Sequence, residues 1–510
     1  MERCWTGKPF CPKPERTMKR RDFFKTSVGA GFLASTAPNN LLPFGAQQAP
    51  ATMFDKIWDA HVVTNLGGRT DLLQVDRCIG GSPNQVLDLI AEGVEIANPE
   101  LFFNVPDHGV STDPNRYADR SLGTGWQSYE EHADMMREMG FNTFGQFDPR
   151  HGIQHVIGPE TGLSQPGMVL AAGDSHTCTH GAMGLISWGG ESSNNILRTG
   201  TVIRLRPMSM RVNVVGRMGP GLRSKDIILR IISELGTDSG SGYAVEYGGP
   251  VIRALPQEAR FSVCNLAVEM ASLTGMVGPD DTTYEWLEGR EFAPAERYWE
   301  QALEFWRTLP TDDGAVFDRE ETIDMTDVDP QVTWGINPEH AIGIGEMVPD
   351  PEAQPGNKRD NYRQAIEYSR LTPGEPILGT PIQEAFIGSC AESRITDIRA
   401  AAEVVRGRRV ASNIQAAWVV PGSQPVKRQA EAEGLDRIFT EAGFEWREPS
   451  CSKCYGSNGD YVARGNRCIS NSNRNYIGRQ GGGTNTILAS TTTVAASAIA
   501  GSIADVRTYL

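Results

Sequence analysis

Three cysteines in the C-terminal third of the chain constrain most strongly what it can fold around. Cys451 and Cys454 form a Cys-x-x-Cys motif, and Cys390 lies well upstream of them. Three thiolates are one fewer than a closed zinc site or an electron-transfer cluster needs. On an iron–sulfur cubane they hold three irons and leave the fourth open as a Lewis acid. A structural zinc site with Cys468 as fourth ligand stays open as an alternative, although zinc ribbons usually show two close cysteine pairs.

The composition is that of an acidic globular protein. The chain has 510 residues with 39% hydrophobic residues and a net charge of −15, and this length predicts about three domains. The acidic balance argues against nucleic acid as a partner, because phosphate binding relies on basic patches. No apolar run is long enough to span a bilayer. Nine cysteines without a paired framework indicate reduced thiols or metal ligands. We therefore expect neither nucleic acid nor a membrane as a partner.

Several motifs surround these cysteines in a characteristic order. They are Pro106-Asp107-His108, Gly173-Asp174-Ser175-His176-Thr177, Ser393-Arg394, and Ser472-Asn473-Arg474-Asn475-Tyr476-Ile477-Gly478-Arg479-Gln480. Together they resemble the aconitase superfamily, most closely its 3-isopropylmalate dehydratase (isopropylmalate isomerase) large-subunit family, over about residues 54–507. The resemblance implies a hydro-lyase of leucine biosynthesis that isomerises 2-isopropylmalate to 3-isopropylmalate, or a similar substituted malate, by dehydration and rehydration. Alternatives are a homoaconitase or aconitase-type dehydratase and, in another class, a cluster-free RNA-binding iron sensor.

The resemblance also implies roles for individual residues. One 4Fe-4S cluster per subunit would be held by Cys390, Cys451 and Cys454, with Cys468 not a ligand. The family's catalytic residues correspond to Asp107, His108, His155, Asp174, His176 and Glu269. Its substrate-binding residues correspond to Ser175, Asn265, Asn473, Arg474 and Arg479.

The residue types at these positions suit proton transfer and carboxylate binding. Asp107-His108 and Asp174-Ser175-His176 each place an imidazole near a carboxylate, which can tune a histidine for proton transfer. Six of the eight histidines lie between His108 and His180, which indicates a site in this stretch. Glu269 is expected to hold the reacting oxygen through its proton. Arginines bind carboxylates in two-pronged geometry, as a hydroxy dicarboxylate substrate requires.

Alternating strand and helix signals predict an α/β fold. We expect three αβα domains with mostly parallel sheets around the cluster, without a swivel domain: 54–207, 208–329 and 330–510. The buried strand 168–172 ends just before Asp174, at the carboxyl end of a sheet, where open α/β sheets bind ligands. Apolar spacing predicts a helix over 260–273 with Asn265 and Glu269 on one face. The acidic, proline-rich stretch 309–375 is expected to be a long connection with one or two short helices.

Residues 1–53 are expected to be a leader-like or disordered extension. Arg20-Arg21, followed by Phe23-Phe24-Lys25 and a mildly apolar stretch, resembles a twin-arginine export leader and predicts a periplasmic protein. No clean small-x-small cleavage site follows, so a basic extension on a cytoplasmic protein is the alternative.

The chain departs from the isopropylmalate pattern at three places. Gly80-Gly81 follows a stretch where the family usually has histidines, Ala391-Glu392 replaces the usual Thr-Asn, and Ser490-Thr491 stands where Ser-Pro is typical. Because the Gly80-Gly81 loop borders the substrate's variable group in the family, we expect tolerance of a substituent larger than isopropyl or different from it in shape.

The resemblance also implies a partner. In this superfamily a swivelling fourth domain supplies a serine that takes the carbon proton and an arginine that grips the substrate. The isopropylmalate type carries that domain on a separate small subunit. The sequence stops at Leu510, after the helix expected to close the third domain. We therefore expect a heterodimer with a small swivel-domain subunit, and an inactive isolated chain.

Overall fold

The computed structural model describes residues 49–117 and 127–510. The twin-arginine motif and nearly all of the predicted extension lie outside the described residues. Within these ranges the chain forms three parallel sheets and two small antiparallel ones. In the same ranges, no helix combines the length and the apolar character needed to cross a membrane.

The first parallel sheet brings two polar loops to one edge. Its strands run in the order Asn142–Thr143, Phe102–Asn104, Arg77–Ile79, Val169–Ala172 and Ile186–Trp188. Because parallel strands end at the same edge, the loops that carry Asp107 and Asp174 emerge there together, after the two strands that flank Arg77–Ile79. The helices of this part are Met53–His61, Pro83–Ala91, Gln127–Glu138, Gln154–Glu160 and Ser193–Thr199. An antiparallel sheet joins Val62–Gly67, Thr70–Gln74 and Thr201–Leu205.

The second parallel sheet follows in the chain. Its order is Thr274–Met276, Tyr243–Gly248, Met208–Val215 and Arg319–Asp324. The accompanying helices are Ser224–Leu235, Pro250–Ala254, Gln257–Asn265, Asp281–Leu287 and Arg297–Trp306. Helix Ser224–Leu235 begins where the Asp226 carboxylate accepts a hydrogen bond from the Arg223 N–H, which satisfies an unpaired helix donor.

The third parallel sheet carries the cysteine loops. Its order is Glu445–Trp446, Ala416–Val419, Glu384–Ile387, Arg467–Ser470 and Asn485–Leu488. Its helices are Gly356–Ser369, Ile395–Val405, Gln424–Ala432, Leu435–Ala442 and Thr491–Ala500. The 3-10 turns of the described chain are Pro99–Leu101, Ser175–Met183, Leu266–Met270, Pro338–His340, Pro351–Ala353, Ser452–Cys454 and Val506–Thr508.

Two local predictions were wrong. The helix predicted over 260–273 ends at Asn265, and a 3-10 turn follows over Leu266–Met270. The stretch 309–375 is more ordered than a connection: Arg319–Asp324 is an edge strand, and Gln331–Thr333 pairs with Ala341–Gly343. None of the four charged residues of this edge strand is buried, and two of them, Glu320 and Asp324, are exposed, so its composition resembles a solvated loop.

The apolar core has two main parts. One buried cluster includes residues of the first two parallel sheets, such as Val169 and Val212, and a second includes residues of the third, such as Ile387. The predicted α/β class with mostly parallel sheets is confirmed. Each predicted domain range contains one parallel sheet, and the exact boundaries stay predictions.

Candidate active site

The three predicted thiolate residues lie in loops after strands of the third parallel sheet. Cys390 follows Glu384–Ile387, and Cys451 and Cys454 follow Glu445–Trp446. Each cysteine is only 6% exposed. The Asn473 side chain joins the two loops: its Nδ2 donates to the Cys390 sulfur at 3.2 Å, and its Oδ1 lies 3.9 Å from the Cys454 sulfur. Two segments 61 residues apart in sequence (451 against 390) thus meet at one amide.

The surroundings of these thiols fit a metal–thiolate centre. Burial raises the pKa of Cys390 to about 12, so this thiol loses its proton only when a cation takes its place. The amides of Asn265 and Asn473 donate to its sulfur at 3.1 and 3.2 Å, which stabilises the thiolate form. The possible ligand atoms of Asp107, His108 and Cys451 also lie within 4.8 Å of one another.

Cys468 has a different environment from the three predicted ligands. It lies within strand Arg467–Ser470 rather than in a loop, and it is fully buried. It packs with Phe386 and Val420, and its thiol donates to the Ile469 carbonyl at 3.5 Å. A fully packed position in a strand suits a small buried hydrophobe.

A series of hydrogen-bonded histidine and carboxylate side chains lies at the edge of the first sheet. Asp107 Oδ1 lies 2.7 Å from His108 Nδ1, and His108 Nε2 lies 3.1 Å from Asp174 Oδ2. The other oxygen of Asp174 lies 2.6 Å from His155 Nε2. His155 Nδ1 in turn lies 3.1 Å from His180 Nε2. The His108 side chain is 33% exposed, whereas that of His155 is 2% exposed, so His108 can meet a substrate.

The charges in this series of side chains favour a protonated His108. The Cys451 sulfur and the Asp107 carboxylate raise the pKa of His108 well above its ordinary value. Burial alone would raise the pKa of Asp174, but His155 and His108 outweigh it and hold that pKa well below its usual range. Burial lowers the pKa of His180 well below the ordinary value. An imidazolium between two carboxylates is a proton donor held in one orientation.

A second polar cluster joins all three parts of the chain. Glu269 Oε1 lies 3.0 Å from His176 Nε2 and accepts a hydrogen bond from Arg474 Nε at 2.6 Å. Burial would raise the pKa of Glu269, but His176 and Arg474 outweigh it and lower that pKa. The arrangement therefore favours an ionised Glu269, and its expected role toward the reacting oxygen stays a prediction. The backbone N–H of His176 donates to Asp174 Oδ1 at 2.9 Å, which links the two clusters.

The remaining predicted site residues also contact this assembly. Ser175 Oγ lies 3.3 Å from His176 Nδ1. Asn265, at the end of its helix, reaches the Cys390 sulfur. Arg479 donates from Nε to the Cys454 carbonyl at 2.6 Å and lies over the ring of Tyr455. Every predicted site residue thus touches at least one other, and their individual roles stay predictions.

Sequence reasoning missed three residues that hold this site together. His180 supports His155, and the concentration of histidines was the available signal. Arg394 donates to the carbonyls of Cys390 and His155, both at 3.1 Å. Lys225, fully buried, donates to the Asn471 carbonyl at 2.5 Å and to the carbonyl of Ser472. Arg394 stands in one of the quoted motifs, but its contact with His155 spans 239 sequence positions and those of Lys225 span 246 and 247, so no local pattern indicates these contacts.

Local packing accounts for glycine at both position 80 and position 81. A Cβ at Gly80 would lie 2.9 Å from the Cβ of Ser193. Gly81 has φ +69°, and a Cβ there would lie 3.2 Å from Phe141. The space beside both glycines is filled by protein, so they do not by themselves support the expected tolerance of a larger substituent.

Comparisons with known proteins identify the family of this chain. Residues 55–501 match the model of the aconitase family (aconitate hydratase). The 3-isopropylmalate dehydratase large subunit 1 of Bradyrhizobium diazoefficiens is 48% identical, over 90% of this chain and 96% of that protein. The 3-isopropylmalate dehydratase large subunit of Roseiflexus castenholzii is 44% identical, over 90% of this chain and 100% of that protein. The crystal structure of Thermococcus kodakaraensis aconitase X (holo-form) aligns with TM-score 0.42 and 14% identity, over 79% of this chain and 84% of that one. The chain belongs to the aconitase family.

Proposed function

We propose that this chain is the catalytic large subunit of an iron–sulfur hydro-lyase that interconverts 2-isopropylmalate and 3-isopropylmalate. Membership of the aconitase family makes the chain a hydro-lyase. The substrate is proposed from the two relatives, which bear the name 3-isopropylmalate dehydratase at 48% and 44% identity. The observation that carries the proposal is the grouping of three buried thiols: Asn473 contacts the sulfurs of Cys390 and Cys454, and the Cys451 sulfur lies 3.7 Å from Asp107, which binds His108.

Cys390, Cys451 and Cys454 would hold the cofactor, a 4Fe-4S cluster. Bound there, such a cluster supplies an iron with open coordination, which polarises a substrate hydroxyl as a Lewis acid. The chain's own part is to keep the three sulfurs dry and oriented. Asn265 and Asn473 do so by donating amide hydrogen bonds to the Cys390 sulfur.

His108 is the residue best placed to deliver a proton to a departing hydroxyl. Asp107 and Asp174 hold its two ring nitrogens, at 2.7 and 3.1 Å, and the imidazole is partly exposed beside Cys451. A general acid must carry its proton at the working pH, and the Cys451 sulfur and Asp107 raise the pKa of His108. Rehydration reverses the transfer, with His108 taking the proton from water.

Arg474 is the residue best placed to bind a substrate carboxylate. Its Nε is occupied by Glu269, and its side chain is 24% exposed. The two Nη groups therefore remain for a two-pronged contact with a carboxylate. Glu269 fixes the guanidinium, and His176 fixes Glu269 from the other side.

We also propose a small-subunit partner. Both relatives are named large subunits. The rim of the site exposes Tyr455, Tyr476 and Ile477, and aromatic side chains are enriched at protein interfaces. Such a partner would close the site and supply the group that takes the carbon proton.

For localisation we propose export through the twin-arginine motif. It is supported by Arg20-Arg21 and the mildly apolar stretch behind it. Replacing both arginines by lysine should retain the protein in the cytoplasm on cell fractionation, and an unchanged distribution would refute export.

The test of the proposed function is anaerobic co-purification with a small-subunit reading frame. The complex should contain about four irons and interconvert the two isopropylmalates, whereas the chain alone should not turn over. Cys390→Ser should lose both iron and activity, and Cys468→Ser, the matched buried-cysteine control, should keep both. Equal iron loss in Cys468→Ser would refute the three-thiolate site. Turnover of citrate or homoaconitate in preference to 2-isopropylmalate would refute the substrate but not the chemistry.

A further inference from the structure

Apart from the candidate active site, the structure has a cleft between three helices. It has a volume of about 150 Å³ and opens between helices Gln154–Glu160, Asp281–Leu287 and Gln424–Ala432. Its floor is aliphatic, made of the buried side chains of Ile157, Ile395 and Val426. None of the site residues described above lines it.

Unpaired charges of both signs face this cleft. Arg290 donates from Nη1 to the Glu160 carbonyl at 2.8 Å and from Nε to the Trp286 carbonyl at 2.5 Å, with its guanidinium stacked on the Trp286 ring. Its partners are therefore neutral. Among the described residues, Arg290 forms no ion pair with a carboxylate within 4.0 Å.

The two acidic residues of the cleft are likewise unpaired. Glu160 accepts a hydrogen bond from Ser423 Oγ at 2.6 Å. Glu258 accepts from the Thr396 N–H at 3.1 Å and from its hydroxyl at 2.5 Å. Neither forms an ion pair in the part of the chain that the structure describes. Burial raises the pKa of Glu160 to about 7, because it outweighs the opposing effects of the Ser423 hydrogen bond, Arg394 and Arg290.

This set of charges selects the ligand. An unpaired guanidinium calls for a carboxylate, and two carboxylates nearby call for an ammonium. A dicarboxylate would meet repulsion from Glu160 and Glu258, and a simple amine would leave Arg290 unpaired. A cavity of about 150 Å³ takes an apolar group about the size of benzene. A branched aliphatic side chain of four carbons fits that limit, with the charged end at the mouth.

We propose that the cleft binds a small zwitterion, an α-amino acid with a branched aliphatic side chain. Arg290 binds its carboxylate, Glu160 and Glu258 bind its ammonium, and Ile157, Ile395 and Val426 contact its side chain. This inference does not rest on the proposed function, because it concerns residues outside the site.

The cleft is connected to the site by short covalent paths. Glu160 ends the helix that carries His155, and Ile395 follows Arg394, which binds the carbonyls of Cys390 and His155. A ligand there would therefore stabilise the elements that hold the site.

The test is calorimetric titration of the full chain, purified with its partner, with L-leucine. We expect saturable binding. Leucinamide lacks the carboxylate and 4-methylpentanoate lacks the ammonium, so each should bind at least about tenfold more weakly, the loss expected for one charge-assisted contact. Arg290→Gln and Glu258→Gln should each weaken leucine binding about tenfold. Arg297→Gln, which alters an exposed arginine outside the cleft, should not.

Three results would overturn the proposal. They are absence of leucine binding up to about 10 mM, equal binding of leucine and the two analogues, and unchanged binding in Arg290→Gln and Glu258→Gln. Because the readout is heat of binding, failure here leaves the proposed activity untouched. Conversely, failure of the isomerase assay leaves the cleft proposal standing.

Discussion

Glu392 and Thr491 both differ from the residues usual at their positions in the family, and in the structure they contact each other. The Glu392 carboxylate accepts hydrogen bonds from the Thr491 N–H at 2.7 Å and the Thr491 hydroxyl at 2.8 Å. Both residues are fully buried, and Thr491 is the first residue of helix Thr491–Ala500. Proline, the usual residue at this position, has no N–H to offer. Glu392 and Thr491 therefore form one interacting pair, and Glu392 lies two residues after Cys390.

The structure sets the expected magnitudes. Thr491→Pro removes both donors and leaves a buried carboxylate uncompensated, which costs about 3–5 kcal/mol of unfolding free energy. Glu392→Asn leaves one of the two Thr491 donors without an acceptor, which costs about 1–3 kcal/mol. In the double variant, which has the usual family pair, the bond that both single variants lose is counted only once. At about 1.5 kcal/mol for a charge-assisted bond, the cost of the double variant should fall below the sum of the single costs by about 1.5 kcal/mol.

The assay is urea unfolding of the metal-free chain, followed by tryptophan fluorescence, for the wild type, both single variants and the double variant. Thr491→Ser is the matched control, because it keeps both donors and should unfold like the wild type. Costs that add within about 0.5 kcal/mol would show that the residues do not act as a pair.

Three further predictions concern the other buried charges and the site. Burial raises the pKa of Asp226 to about 7, so its contribution to stability is fully present below about pH 4 and is lost as pH rises through 7, by up to about 4 kcal/mol. Asp226→Asn should flatten that part of the stability–pH profile measured by urea unfolding, and an unchanged slope would contradict this. Lys453, between the two close cysteines, pairs with Glu384 at the start of the strand that leads to Cys390, and both are buried. Lys453→Met should cost about 3–5 kcal/mol and reduce iron content measured after purification, whereas iron content equal to wild type would show that the pair does not position the thiols. Arg474→Lys should lower kcat/KM of the complex about a hundredfold with unchanged circular dichroism, because lysine lacks the planar fork; a loss under tenfold would remove Arg474 from carboxylate binding.

The sequence by itself determined the local features of this protein. The strand that precedes Asp174 was predicted from a short apolar run, and it exists over Val169–Ala172. The parallel character of the sheets followed from alternating strands and helices, since parallel strands need a crossover between them. The candidate site residues were named from short motifs that resemble the family's, and in the structure they contact one another, while their roles stay predictions.

The tertiary structure alone decided how those residues meet. Asp107 contacts Cys451 across 344 sequence positions, and Glu269 contacts Arg474 across 205. The helix predicted over 260–273 ends at Asn265, whose amide bonds to the Cys390 sulfur, Thr179 and Asn473 instead of facing solvent. A sequence pattern reports which face of a segment is apolar, but it carries no information on the distant group that will satisfy a buried polar side chain. The lowered pKa of Glu269 and the raised pKa of His108 have the same origin, in charges that packing brings within hydrogen-bonding distance.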